Sequence, residues 1–111
     1  MLTEFSDEDT QELFNSIKAL TRDFGAVNAK LIRRRLDDLR SSATLEIARR
    51  LPGKLEELKG KRKGQFSMRL EGGSRLIFRS SQQPPPTKPD SGLDWTQVLA
   101  ITVLKVEDYH D

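Results

Sequence analysis

The chain has 111 residues, 35% of them hydrophobic and 32% charged, with a formal net charge of +2 and no cysteine. That length fits a single domain over residues 1–111, able to bury a core without staples, and the missing cysteines exclude disulfides and thiolate metal sites. No apolar stretch approaches the ~20 residues needed to cross a bilayer. The start Met1-Leu2-Thr3-Glu4-Phe5 also lacks the basic and apolar regions of a signal peptide, so a soluble cytoplasmic protein without membrane association is expected.

Residues 1–5 alternate weakly and read as a short first strand. Ser6 is an expected N-cap, with Asp7, Glu8 and Asp9 in a first helical turn where the dipole favours anions. Leu13, Phe14, Ile17, Leu20 and Phe24 repeat at helical spacing, and Gly25 follows as a stop. A second helix over 27–40 turns Leu31, Ile32, Leu36 and Leu39 inward and Lys30, Arg33, Arg34 and Arg35 to an outer face. A brief helical stretch over 44–51 is closed by Pro52-Gly53.

From Gln65 the period becomes two. Phe66, Met68 and Leu70 share one face of a strand and Ser67 and Arg69 the other. Gly72-Gly73 signals a hairpin. The returning strand sets Leu76 and Phe78 against Arg75, Ile77 and Arg79, so the two strands are expected to present arginines on a solvent-facing surface. Residues 80–92 form a Pro/Ser/Gln-rich loop, in which Pro84-Pro85-Pro86 is a stiff connector and Trp95 closes the loop onto the core. The nearly all-apolar run 98–106 fits a central strand covered on both faces. Helices followed by strands predict an α+β fold with a helical pair on a mainly antiparallel sheet.

Charge is segregated along this plan. Residues 1–53 balance nine cations with nine acids, residues 54–79 carry eight cations against three acids, and residues 80–111 carry two against five. A localised anionic partner is implied. Lys59, Lys61, Arg62 and Lys63, flanked by Gly60 and Gly64, can donate charge-assisted hydrogen bonds to phosphates, and Arg69 and Arg79 of the hairpin extend the patch. His110, the single histidine, stands beside Asp108 and Tyr109. An acid–base group, cations for developing charge and an aromatic to stack a base make a ribonuclease constellation. One histidine with scattered carboxylates offers no metal cluster, and no cofactor is implied.

The segments PGKLEELKGKRKGQFSMRLEGGSRLIF, GLDWTQV and ITVLKVEDYH resemble the HigB-type (plasmid maintenance killer protein) branch of the RelE/ParE toxin superfamily. The likeness covers about residues 26–111 and is strongest over 52–79 and 93–110. It implies a RelE/ParE-like fold and a type II toxin–antitoxin toxin, an endoribonuclease that cuts messenger RNA on the ribosome and is silenced by a cognate antitoxin. By position it assigns Lys59 and Arg75 to phosphate binding and transition-state charge. Asp108, Tyr109 and His110 match the family's terminal acid, aromatic and histidine, and Arg62 matches the arginine of its turn.

The chain departs from the pattern at Ser74, where an aromatic is common, at Glu56, where some members carry histidine, and at Lys61, where an acid is usual. The reaction implied is attack of a ribose 2′-hydroxyl on its own 3′-phosphate, which requires no metal. Two other readings stay open: a non-catalytic toxin of the same fold that inhibits DNA gyrase, and an inactive RNA-binding module. The outer face of the second helix is a candidate dock for an acidic antitoxin or for ribosomal RNA.

Overall fold

The computed structural model describes residues 1–108. The sequence opens with β1 (Leu2–Phe5), α1 (Glu8–Phe14), α2 (Ile17–Ser41) and α3 (Leu45–Ala48). The strands β2 (Glu56–Glu57), β3 (Gln65–Arg69), β4 (Ser74–Ser80) and β5 (Ala100–Asp108) follow. The α+β architecture expected from the sequence is the one found. The sheet order is β1-β5-β4-β3-β2, antiparallel from β2 to β5, with β1 running parallel to β5.

The first helix starts one residue later than its composition predicts. The Ser6 amide still donates to the Val103 carbonyl of β5, so Asp7 becomes the N-cap and its carboxylate accepts from the Thr10 amide at 2.7 Å. That bond from the Thr10 backbone holds the Asp7 carboxyl below its ordinary value. The helix also ends sooner, at Phe14, because Ser16 caps a new one by accepting from the Ala19 amide at 3.1 Å. Short polar side chains such as Asn15 and Ser16 compete with helix interiors in this way.

Gly25 breaks α2 with φ 86° and ψ 162°, a conformation open to glycine and costly for a residue with a Cβ. A straight helix would separate Ile17 from Asp37 by roughly 30 Å. Both residues line one groove with Lys30, Arg33 and Arg34, so the two arms, 17–24 and 26–41, fold back on each other. Arg35, expected on the outer face with these cations, is instead buried. It points to the sheet with Ile32, Leu36 and Leu39.

These apolar residues pack with Leu20 and Ala29 against Phe66, Met68, Leu76, Phe78, Ile101 and Val103. The helices therefore cover one side of the sheet. Phe66 and Phe78 stack at 5.6 Å between centroids, and loss of such a buried ring typically costs about 3–5 kcal/mol.

One irregularity sets the composition of the other side. Ile77 pairs with Lys105 but Phe78 pairs with Val103, leaving Leu104 as an extra residue in β5. A bulge of this kind reverses the alternation beyond it. Thr102, Lys105 and Glu107 thus share the open face, while Val103 and Val106 both turn to the helices. The both-sided cover expected for 98–106 gives way to a strand that is apolar towards the helices and polar on its open face.

The hairpin tip is tied to the helices by α2. Asn28 donates from Nδ2 to the Glu71 carbonyl at 3.2 Å and accepts from the Glu71 amide at 2.8 Å. Asn28→Ala is expected to lower unfolding free energy by about 1–2 kcal/mol, the net worth of two such bonds. Denaturant melts of parent and variant check this, and equal midpoints would show that the tip is held by other contacts.

Candidate nucleic-acid interface

Strand register arranges the open face in three rows, with neighbouring strands about 4.8 Å apart. Arg69, Arg75 and Glu107 form the first row. Glu56, Ser67, Ile77 and Lys105 form the second. Gln65, Arg79, Thr102 and Glu4 form the third. Ser67, Ile77 and Thr102 are buried and make a floor, and charged side chains stand around them. Ile77 was expected to face solvent with Arg75 and Arg79. It is fully buried.

The turn after β2 folds onto this face through Arg62. Its Nη1 donates to Glu107 Oε2, and its Nε and Nη2 both donate to Gln65 Oε1 at 3.4 Å. Lys105 Nζ reaches Glu107 Oε1 at 3.4 Å. Glu107 therefore bridges a turn cation and a strand cation. Burial alone would raise its carboxyl, but the hydrogen bonds and charges of Arg62 and Lys105 outweigh that effect and hold it below its ordinary value.

A second carboxylate lies across the sheet. Glu56 Oε1 is 3.6 Å from Lys54 Nζ and 4.0 Å from Arg69 Nη2. An acid–base group flanked by cations is thus part of the face that carries Arg69 and Arg75. The resemblance marked Glu56 only as a departure, and the sequence reading gave Glu107 no role. The signal for both was available in principle, since Glu56 and Ser67 are a cross-strand pair once β2 is placed. A strand of two residues shows no periodicity.

The expected site residues separate into groups. Arg62, Arg69, Arg75 and Arg79 converge on the open face. Arg79 bends along its edge, and its Nη1 donates to the Ser80 carbonyl at 2.9 Å. Lys59 occupies the position before the 3₁₀ turn Gly60–Arg62, with no side-chain capping bond, and is exposed, as is Lys61. Lys63 turns away to a groove shared with Glu57, Pro85, Thr87 and Leu93. Asp108, beyond the bulge, pairs with Ser74 on the side of Leu76 and Val106 and accepts from Ser74 Oγ at 3.3 Å. The acid that the end of β5 contributes to the open face is Glu107. Tyr109 and His110 lie outside the described residues.

Trp95 takes the structural place expected of it. Its ring meets Phe66 edge-on at 5.2 Å, Arg49 lies 4.0 Å over it, and Nε1 donates to Glu57 Oε1 at 2.9 Å. The long loop is thereby pinned over the short strand β2, which shields that edge.

No family model matches the chain, and no curated protein matches it in sequence. A solved structure is similar: the YoeB/ParE toxin from Agrobacterium tumefaciens, at 14% identity and a TM-score of 0.61, over 99% of this chain and 100% of that chain. The two chains share a fold. The α+β architecture anticipated from the sequence is therefore one that this solved structure also has. No helix among the described residues is long and apolar enough to cross a membrane.

The Glu107 bridge has a pH signature. Its carboxyl titrates below the ordinary 4.5 in the folded chain, so its contribution is complete above that value and is lost as pH falls through the folded value. Relative to Glu107→Gln, the parent is expected to hold its stability advantage above the ordinary 4.5 and to lose it progressively as the pH falls below that value. Chemical denaturation on both sides of that value tests this, and a constant difference would show that Glu107 is not ion-paired in solution.

Proposed function

We propose that this protein is a toxin of a type II toxin–antitoxin system and an endoribonuclease that cuts messenger RNA on the ribosome. The observation that carries the reading is the open face itself. Arg69 and Arg75 face each other across β3 and β4, with the carboxylates of Glu56 and Glu107 to either side. Arginines in this arrangement suit a phosphodiester and the extra negative charge of its pentacovalent transition state. The terminal segment ITVLKVEDYH supports placement in the HigB-type branch. The fold shared with a YoeB/ParE toxin supports the toxin reading at the level of the superfamily.

In this reaction a base removes the 2′-hydroxyl proton and O2′ attacks its own 3′-phosphorus. The bond to the 5′-oxygen breaks, giving a 2′,3′-cyclic phosphate and a 5′-hydroxyl that takes up a proton. The nucleophile belongs to the substrate, so the protein supplies position, proton transfer and charge. In this reading Glu56 acts as the base, with His110 as its acid partner and Tyr109 as the stacking platform. Arg75 and Arg69 stabilise the phosphorane, while Arg62, Lys59 and Lys61 hold flanking phosphates along the exposed turn. Arg79 sits at the margin of the track. A cognate antitoxin is the protein partner, and the groove between the arms of α2, with Lys30, Arg33 and Arg34, offers cations to an acidic one. A cytoplasmic location follows from such a substrate.

Induced expression in bacteria with mapping of RNA ends tests the proposal. The parent is expected to produce new 5′-hydroxyl ends within translated frames. Arg75→Ala, Glu56→Gln and His110→Ala are each expected to reduce cleavage roughly 10²–10⁴-fold, and DNA is expected to stay intact for want of a 2′-hydroxyl. Loss of supercoiling by gyrase without RNA cleavage would replace this reading with that of a gyrase-binding toxin. Salt-sensitive RNA binding without cleaved product would reduce it to a binding module.

A further inference from the structure

Arg35 breaks the pattern of the helix that carries it. It lies in the inward stripe of α2 with Ile32, Leu36 and Leu39, and is only 8% exposed. Burial lowers its guanidinium pKa below the ordinary arginine value. An apolar residue there would fill the core without desolvating a charge, and such replacements are often neutral or stabilising. What the arginine supplies is a directed bond: Nε donates to the Arg69 carbonyl at 3.1 Å.

The surroundings are shaped for this contact. Gly53 has φ 115°, and a Cβ there would stand 2.6 Å from Arg35 Nε and 3.0 Å from its Cδ. The side chain therefore lies directly against the Gly53 backbone. The Gly53 carbonyl in turn accepts from the Arg69 amide at 2.6 Å. One guanidinium thus joins α2, the end of β3 and the chain entering β2. The Arg69 backbone is held from the helix side, while the Arg69 side chain emerges on the open face near Glu56. Just beyond Gly53, Lys54 and Glu56 leave for the same face.

We propose that Arg35 is a positioning residue of the RNA face, fixing the Arg69 side chain in register for a phosphate. The inference rests on the RNA-binding reading above and adds to it a residue on the opposite side of the sheet that never meets RNA. Its effect is transmitted through Arg69, so it must vanish when Arg69 has no charge to place.

The test uses the full chain, a fluorescein-labelled single-stranded RNA and a salt series, with Arg35→Met, Arg69→Ala and the double variant. Arg35→Met is expected to keep the parent's thermal midpoint or exceed it, yet to bind RNA about 5–30-fold more weakly. Its salt slope should be lower by about 0.7, the value of one phosphate contact on a single strand. In the Arg69→Ala background the same substitution is expected to change nothing, the non-additivity of residues acting as one unit.

A folded Arg35→Met with the parent's affinity and slope, or an effect that simply adds to that of Arg69→Ala, overturns the proposal. Should Arg35→Met not fold, Gly53→Ala carries the test, because it displaces the guanidinium without deleting it. The same selective loss of affinity is expected of it. Failure of both variants to fold would make Arg35 a determinant of the fold and end the positioning role. A parent that binds no RNA would remove the functional reading and this inference together, whereas a binding parent with unaffected variants removes this inference alone.

Discussion

Were Leu104 paired in regular register and not bulged, the unbroken alternation of β5 would carry Lys105 and Glu107 beneath the helices and turn Val106 to the open face. Two charged side chains would then enter a core formed by Ile32, Leu36, Phe66 and Phe78. Burying one unpaired charge there costs several kcal/mol, an appreciable share of the 5–15 kcal/mol that holds a domain folded. The bulge removes this conflict by reversing the parity of the strand after Val103. It lets one strand complete the apolar core in its first half and furnish a charged surface in its second. Every feature of the open face near β5 depends on that reversal.

The charges on this face are organised so that repulsion is contained but not removed. Arg69 and Arg75 stand directly opposite each other on adjacent strands, an arrangement that costs stability in a sheet. Glu56 on β2 and Glu107 on β5 flank the pair and lower that cost, and Glu107 also recruits Arg62 and Lys105. A polyanion laid across the same rows would relieve the remaining repulsion, which gives a surface of this type its affinity and its sensitivity to salt. The buried Ile77 and Ser67 beneath keep the charged groups on a firm floor.

Much of this was legible in the sequence where one rule acted alone. Period-two alternation around Gly72-Gly73 gave β3, β4 and their turn. Gly25 marked the fold-back of the helices, and Trp95 marked the closure of the loop. The illegible parts are those where two rules overlap. The apolar run 98–106 hides a change of parity, because either face could have been the core. Glu56–Glu57 is too short to show any period. Arg35 sits at a position where helical spacing permits burial but composition argues against it, and only the approach of Gly53 shows that room was left for it. Asp108 carried the match to the terminal acid, and only the register shows that Glu107 is the acid on the open face.

The contacts of α2 connect these observations. One side of its second arm supplies Ile32, Leu36 and Leu39 to the core, and the same side grips the hairpin backbone at two places, Glu71 through Asn28 and Arg69 through Arg35. Those residues are seven apart, two turns of one helical face, so a single rigid element sets the angle of the hairpin tip. Apolar packing could hold the sheet to the helix but would tolerate small sliding between them, since hydrophobic contacts are not directional. Hydrogen bonds to named carbonyls do not tolerate it. For the proposed contact between these guanidinium groups and a phosphate, that directionality is an advantage. Stability alone gives no reason to bury an arginine where a leucine would serve.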